Sequence, residues 1–313
     1  MSVFVVVNPS AGSGRARKAW PGLRQRLEAS FGDVDVAETK GTGHAISLVR
    51  DGIAAGATTV IAIGGDGTIN EAVNGIAAAN AFDGVTFAPI TVGRGSDLAR
   101  SITPGRTMEA MLDAACGNGV RRIDLGRISF VADDGQPMVR YFDNIASFGL
   151  SGAIDRRVNA RRLPYVPGEA HFLGATVAAF FTYRPQSVRI ALDEQPPFDV
   201  DIAMVAVANG RYFGGGMMIA PDAEMDDGLF DVVILRASPK LILLRDLQKV
   251  YGGRHRDHPA ITIARARRVS VTPLGNQPVL LDIDGESPGR LKATFEVVPR
   301  LLQLRVAGQP AGM

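Results

Sequence analysis

Three carboxylates, Asp282, Asp284 and Glu286, stand at alternate positions of one short segment. Residues two apart share a face of an extended strand. If the strand read from Val279 to Ile283 continues, all three project to one side. Carboxylates gathered in this way raise one another's pKa, which suits one of them to take a proton from a hydroxyl. Read alone, the same residues equally describe an Asp-Gly hairpin tip with solvated charges. A second acidic group comprises Asp222, Glu224, Asp226 and Asp227. The calcium EF-hand spacing fails there, because Asp227 stands where the sixth-position glycine is required. A surface turn without metal is the competing reading.

Glycine-rich loops offer a different chemistry. The chain has 36 glycines in 313 residues, roughly 11.5% against a usual ~7%. Several fall in four polar segments: Asn8-Pro9-Ser10-Ala11-Gly12-Ser13-Gly14, Thr39 with Gly41-Thr42-Gly43, Gly64-Gly65-Asp66-Gly67-Thr68, and Gly93-Arg94-Gly95-Ser96-Asp97. Glycine lets backbone N–H groups approach a ligand closely, and helix N-termini favour anions. Thr68 and Ser96 are good residues for starting a helix. One such loop is explained by a tight turn alone. Four on one edge of a sheet read as a phosphate or nucleotide cradle. Neither Gly12-x-Gly14 nor Gly93-x-Gly95 completes the dinucleotide fingerprint G-x-G-x-x-G, and no Walker-type G-x-x-x-x-G-K-[ST] occurs.

The elements that carry these loops are legible in the periodicity. Val3 to Val7, Val34 to Ala37, Thr59 to Ile63 and Ala88 to Val92 read as strands. Between them, helical stripes run through Trp20, Leu23 and Leu27, through Ile46, Val49 and Ile53, and through Ile69, Val73 and Ile76. Another helix carries Met108, Met111, Leu112 and Ala115. Pro21 leaves the early part of the first helix open. Strands alternating with helices predict a parallel sheet covered on both faces, with ligands beyond the carboxyl ends of its strands, where the four loops lie. From about residue 121 the rhythm changes. Ile123 to Val131 and Val139 to Phe148 flank Asp133-Asp134-Gly135, a hairpin signal. Later runs at 188–192, 200–208, 230–235, 269–272, 279–283 and 294–298 alternate with period two. Helices are expected near 170–182 and 240–251.

Composition bounds the rest. Hydrophobic residues make up 46% and charged residues 21%, which excludes wholesale disorder, and the net charge of +2 gives no general reason for a nucleic-acid partner. Cys116 is the single cysteine, so no internal disulfide forms. The apolar stretch from Phe172 to Phe181 is far shorter than a membrane span of about 20 residues, and no signal peptide is visible, so a cytoplasmic location is expected. His255-x-x-His258 has no cysteine or carboxylate partner at zinc spacing.

Taken in order, these motifs resemble those of the diacylglycerol kinase catalytic-domain family, which includes sphingosine and ceramide kinases and bacterial soluble lipid kinases. The resemblance rests on Asn8-Pro9-x-x-Gly12, Gly64-Gly65-Asp66-Gly67-Thr68-Ile69-Asn70-Glu71, the loop ending in Asp97-Leu98-Ala99-Arg100, Gly214-Gly215-Gly216, Pro221-x-Ala223-x-x-Asp226-Asp227-Gly228 and Asp284-Gly285-Glu286. It implies a Rossmann-like parallel α/β nucleotide-binding domain over 1–122, with about 295–307 returning to it, and an antiparallel β-sandwich domain for the lipid over 123–294.

The same resemblance implies roles. Asn8, Pro9, Ser10, Ala11, Gly12, Thr39, Gly64, Gly65, Asp66, Gly67, Thr68, Asn70, Glu71, Arg94 and Asp97 would hold ATP. Asp66 would act on Mg2+, directly or through water, and Glu286 would take the proton from the lipid hydroxyl. A second, structural magnesium site would use Asp227 with the carbonyls of Glu224 and Leu229. The implied reaction moves the γ-phosphate of ATP to a lipid hydroxyl, first of all that of diacylglycerol, to give phosphatidic acid. Peripheral contact at the inner membrane face would present the lipid. The basic cluster Arg156, Arg157, Arg161 and Arg162 either meets anionic headgroups or is a solvated face. Phe172, Leu173, Val177, Phe180 and Phe181 either line an acyl pocket or form core. A homodimer is compatible with all of this. One departure stands out: the family's G-T-x-N-D is here Gly93-Arg94-Gly95-Ser96-Asp97. It keeps a second reading open, a lipid- or nucleotide-binding homologue with weak or no kinase activity.

Overall fold

Every residue of strand β1 (Val3–Val7) is apolar and buried, as a strand covered on both faces requires. In the computed structural model, which describes residues 2–92, 97–102, 107–160 (159 and 160 by backbone alone), 176–240 and 248–307, it lies between β2 (Asp35–Glu38) and β3 (Thr59–Gly64). β4 (Thr86–Thr91) flanks β3, and all four strands are parallel. Helices α1 (Ala11–Phe31), α2 (His44–Ala54), α3 (Asp66–Ala78), α4 (Asp97–Ile102) and α5 (Met108–Cys116) accompany them. Helix α1 continues through Pro21 and buries Ala16, Leu23 and Leu27; its irregular part is earlier, at Gly12, Ser13 and Gly14, which all have positive φ. Helix α3 is buried from Thr68 to Ile76. It packs against the parallel sheet on one side and reaches Tyr141 of the second lobe on the other.

The second lobe is antiparallel. It comprises β5 (Gly119–Ala132), β6 (Pro137–Phe142), β7 (Ile145–Gly149), α6 (Leu150–Ala160), β8 (Gln186–Leu192), β9 (Phe198–Ala208), β10 (Phe230–Arg236), β11 (Ile261–Ala266), β12 (Arg268–Pro273), β13 (Leu281–Ile283) and β14 (Gly289–Val306). Strand neighbours run β11-β10-β9-β8-β12-β14, with β7 bridging β9 and β13. Phe142 stacks on Phe230 and Phe148 on Phe295, at centroid distances of 5.5 and 6.0 Å, in the core between the layers. Strand β14 has 18 residues and serves both lobes. Its early part pairs with β5 and β12, and Gln303 and Leu304 pair with Thr86 and Phe87 of β4.

One expected strand is interrupted and another ends at a turn, for reasons that bear on the site. The run Val139 to Phe148 is broken at Asp143 and Asn144 into β6 and β7. The Asp284 carboxylate accepts the N–H groups of Asp143 and Ile145 at 2.9 and 2.8 Å, so these two donors bond to a side chain. Strand β13 stops at Ile283, because Asp284 and Gly285 have φ of 47° and 86° and close a turn between Ile283 and Glu286. The expectation that Asp282, Asp284 and Glu286 project together from one strand face is therefore corrected: Glu286 lies beyond the turn. Residues 176–182, 240 and 248–251 are helical; the rest of those two expected helices lies outside the described residues.

Candidate active site

The loops at the carboxyl ends of β1 and β3 meet. Asn8 Nδ2 donates to Thr68 Oγ1 at 2.9 Å, while Asn8 Oδ1 accepts the Ser10 N–H at 3.0 Å. This fixes the segment Asn8, Pro9, Ser10, Ala11 and Gly12 against the start of α3. Gly64 has to be glycine: a Cβ there would lie 2.5 Å from Thr68 Cβ. Thr39 is held at the same edge by its N–H, which donates to Val7 O at 2.8 Å. Glu71 accepts the N–H groups of Gly43 and Ala45 at 2.7 and 3.0 Å, so its carboxylate caps helix α2 and ties the second loop to the third. Arg94 and its neighbours Gly93, Gly95 and Ser96 lie outside the described residues.

Four aspartates converge where the two lobes face each other. Asp66 heads α3 and Asp97 heads α4; Asp143 and Asp284 come from the second lobe. Burial pushes the Asp66 carboxyl up to about 7, and the charges of Asp97 and Asp284 push the same way. Burial raises Asp97 to about 6, against the opposing N–H of Gly215, which donates to Asp97 Oδ2 at 2.9 Å. Asp284 is raised to about 6 by burial, despite its bonds from Ile145 and Asp143 N–H. Asp143 is pushed well above the ordinary range by burial and by Asp284 and Asp66. Asp66 Oδ1, Asp97 Oδ1 and Asp143 Oδ2 are buried with no hydrogen-bond partner. Arg100 Nε lies 3.7 Å from Asp97 Oδ1, and the oxygens of Asp66 and Asp143, crowded by like charge, are the ones that fit a cation. Among the described residues no group of three His, Cys, Asp or Glu side chains is placed to hold a metal ion.

Glu286 is fixed by a side chain of its own lobe. Arg140 Nη1 donates to Glu286 Oε2 at 2.9 Å, and Arg140 Nη2 to Asn70 Oδ1 at 3.1 Å. Asn70 Nδ2 in turn donates to Asp284 Oδ2 at 2.8 Å and to Tyr141 O at 2.9 Å. Glu286 Oε1 reaches the glycine loop, 3.4 Å from where a Cβ on Gly67 would stand. Asn70 thus joins the two lobes from a fully buried position, beneath the surface the nucleotide loops present. Asp282 lines the same cavity as the four aspartates, with partners of its own. It accepts from Ser147 Oγ at 2.8 Å and Gly285 N–H at 2.9 Å, and it pairs with Asp155, whose carboxyl is raised to about 9 by burial and by Asp282.

The loop expected to hold a second magnesium is organised by protein groups. Asp227 accepts the Leu229 N–H at 3.0 Å and a hydrogen bond from the Arg265 guanidinium. Asp226 pairs with Arg121 at 2.8 Å. Asp124, fully buried, accepts Gly228 N–H and Arg300 N–H, each at 2.7 Å. With Arg265 on the Asp227 carboxylate, the Glu224, Asp227 and Leu229 set does not present a free cation site.

A cavity of about 750 Å³ opens from the aspartate cluster into the second lobe. Asp66, Asp97, Asp143, Asp284 and Gly285 line one part of it, and apolar side chains such as Leu150, Ile154, Val177, Phe180, Met204 and Val233 line most of the rest. It runs along the outer face of β7, β9 and β10. From Ile145, paired with Ala208, to Met204 is four residues of β9, about 14 Å. Val177, Phe181 and Tyr251 line it and are 46%, 57% and 53% exposed, so it reaches the surface there. Of the basic cluster, Arg156 pairs with Asp133 and Arg157 donates to Thr182 Oγ1; Arg161, Arg162, Phe172 and Leu173 lie outside the described residues.

Arg140, Asp143 and Asp124 went unread in the sequence. Each is a single polar residue in or beside a strand, with partners more than 100 positions away in the chain. Arg140 and Asp143 within an apolar, inward-facing run were the only signal.

Comparison with known proteins follows the same lines. A family model described as the diacylglycerol kinase catalytic domain matches residues 2–128. One described as the YegS C-terminal NAD kinase beta sandwich-like domain matches residues 144–306. A diacylglycerol kinase of Mycobacterium tuberculosis is 30% identical over 305 residues, covering 96% of this chain and 94% of its own length. One of Bacillus subtilis is 30% identical over 294 residues, covering 93% and 91%. Among solved structures, a diacylglycerol kinase from Bacillus anthracis superposes with a TM-score of 0.70 at 21% identity, over 100% of this chain and 98% of the other. An NAD kinase from Archaeoglobus fulgidus in complex with ATP gives 0.50 at 14% identity, over 97% and 93%. The architecture is an NAD kinase-like fold, an N-terminal α/β part followed by a β-sandwich-like part.

Proposed function

Because this chain belongs to the diacylglycerol kinase family, we propose that it transfers the γ-phosphate of ATP to the hydroxyl of a lipid, first of all diacylglycerol. The observation that carries this reading is the join between a polar head and an apolar body. The cluster of Asp66, Asp97, Asp143 and Asp284 opens into a long apolar cavity, the shape an amphipathic substrate with one reacting end requires. The glycine loops at Asn8 to Gly12 and Gly64 to Thr68 offer backbone N–H groups for phosphates, beside the N-terminus of α3. Asp66 and Asp143 would hold Mg2+, which neutralises charge on the transferring phosphate. Glu286, steadied by Arg140, would accept the proton of the attacking hydroxyl at Oε1, the oxygen nearer the glycine loop. Positioning and charge neutralisation dominate phosphoryl transfer, so a base held in place by a neighbour suits it.

The non-catalytic reading finds no support at the site. The altered loop at Arg94 and Ser96 lies outside the described residues, while Asp66 and Asp97 line one cavity and Glu286 reaches the glycine loop at Gly67. No helix among the described residues is long and apolar enough to cross a membrane. The lipid would be drawn from a bilayer by peripheral contact around the exposed Val177, Phe181 and Tyr251, with Arg157 and Lys240 beside them. The test is incubation with Mg2+, labelled ATP and a panel of diacylglycerol, monoacylglycerol, sphingosine and ceramide in mixed micelles. Labelled lipid is expected, and Glu286→Gln is expected to bind ATP while losing turnover. Labelling of no lipid would refute the kinase reading, and undiminished turnover in Glu286→Gln would remove Glu286 as the base.

A further inference from the structure

Among the hydrogen-bonding groups of the cavity wall that the reaction at Glu286 does not use, Asn144, Asp155 and Thr176 also have buried atoms without a hydrogen-bond partner, and His255 is the one set among apolar side chains far from the carboxylates. His255 is 1% exposed and lines the cavity, in company with Ile219, Val233, Val250 and Ile261. Its Nε2 stands 2.9 Å from Ile219 O. A carbonyl oxygen only accepts, so the ring proton sits on Nε2 and Nδ1 presents a bare lone pair. That Nδ1 is buried with no hydrogen-bond partner. Burial lowers the imidazole's pKa, and the charges of Arg256 and His258 act in the same direction, so the ring stays neutral near pH 7. None of Asp66, Asp97, Asp143 or Asp284 is among the charges that act on it, which sets it apart from the carboxylate cluster. A buried acceptor left unmet is costly, and a ligand that meets it gains accordingly.

We propose that the cavity selects a lipid bearing a hydroxyl on its chain, in addition to the hydroxyl that is phosphorylated, and that His255 Nδ1 accepts that second O–H. This rests on the lipid-kinase reading above. An ordinary diacylglycerol cannot serve the nitrogen. Its single O–H is the reacting group, its ester oxygens only accept, and its chains carry no polar hydrogen. A hydroxyacyl chain lying along the wall supplies the donor and otherwise keeps its contacts with the apolar side chains. His255 is thus a specificity residue and takes no part in moving the phosphate.

The test pairs each of several hydroxyacyl diacylglycerols, with the hydroxyl placed at successive chain positions, with its unsubstituted counterpart. Initial rates are measured in mixed micelles with Mg2+ and ATP. At one hydroxyl position kcat/KM is expected to exceed that of the plain lipid ~10-fold, the scale of one net hydrogen bond. In His255→Leu that ratio is expected to fall to about one. A readout independent of the variant's folding uses imidazole 15N spectra of the wild-type protein, which has only four histidines. The His255 Nδ1 resonance is expected to move to a hydrogen-bonded position with the preferred hydroxyacyl lipid and to stay in place with the plain one. Equal rates for every pair overturn the proposal, as does a preference that survives His255→Leu. A resonance that moves equally with both lipids assigns the nitrogen to water and also overturns it. If the plain lipid is phosphorylated and no preference appears, only this proposal falls. If no lipid is phosphorylated, the kinase reading falls with it.

Discussion

Replacing Arg140 with methionine isolates the contribution of holding Glu286 in place. The change removes two hydrogen bonds, at 2.9 Å to Glu286 Oε2 and 3.1 Å to Asn70 Oδ1, and keeps an apolar stem of similar reach. The pair is shielded, with side chains 12% and 23% exposed, so little solvent screening offsets the loss. Bonds to charged groups contribute about 1.5–3 kcal/mol each when both ends are protected. Partial hydration of Glu286 argues for the lower end, about 3 kcal/mol for the two bonds together. For a chain of 313 residues that corresponds to a Tm drop of about 5 °C. In turnover, losing the base altogether costs about 10²–10⁴-fold. A base that remains but wanders is expected to cost 10–100-fold of kcat, on the order of 1.4–2.8 kcal/mol. The KM for ATP should shift by less than about threefold, an effect near RT, because Arg140 has no bond to the nucleotide loops except through Asn70. The assay is steady-state kinetics on Arg140→Met, Glu286→Gln and the double variant. If Arg140 acts through Glu286, the double variant is no slower than Glu286→Gln alone. Full multiplication of the two losses, or an unchanged kcat in Arg140→Met, would refute the reasoning.

Three further outcomes follow from the geometry. The raised carboxyls bind protons more tightly folded than unfolded, so their contribution to stability is complete below about pH 4. It is lost as pH rises through about 6 for Asp97 and Asp284, 7 for Asp66 and 9 for Asp155. Without divalent cations Tm should therefore fall from pH 5 to pH 8, Mg2+ should recover part of the loss, and Asp66→Asn should flatten the dependence; a Tm that climbs over this range contradicts the cluster. Glu71→Ala strips the cap from Gly43 and Ala45 N–H and should cost about 1–2 kcal/mol, measured by urea denaturation, with Glu71→Gln costing less. Gly64→Ala puts a methyl 2.5 Å from Thr68 Cβ, so it should displace the Asn8–Thr68 bond and weaken nucleotide binding in a fluorescent-ATP titration, and unaltered affinity would show that the loop tolerates the shift.

The parallel half of the fold was legible because burial on both faces leaves an unbroken signature. Val3 to Val7 and Thr59 to Ile63 contain no charge, and polar, glycine-bearing loops follow them directly. The glycine loops were legible for a related reason: close approach demands glycine, and Gly64 against Thr68 shows that demand met. The carboxylates were found as residues and misjudged as a group. Alternation assigned Asp282, Asp284 and Glu286 to one face, but positive φ at Asp284 and Gly285 ends the strand first. Such a turn answers to the N–H groups of Asp143 and Ile145, distant in sequence, so no local pattern encodes it. Arg140 was invisible on the same ground. It is one cation in a strand, and its meaning lies 146 positions away in Glu286. In the loop from Asp222 to Asp227 the acidic residues were plain, yet the arginines that face them come from β5 and β11.

Strand β14 also sets a condition on synthesis. Thr86 waits for Gln303, and Phe87 for Leu304. Translation therefore delivers the whole parallel half, helices included, long before the strand that covers the outer edge of β4. Until residues 302–306 emerge, that edge presents unpaired N–H and C=O groups to any passing chain. Contacts of such long sequence separation form slowly. The nascent protein thus spends most of its synthesis with an open sheet edge, and a ribosome stalled late leaves it open indefinitely. Shortening the chain by a few residues at β14 would be felt first at the opposite end of the sequence, as aggregation of the nucleotide half.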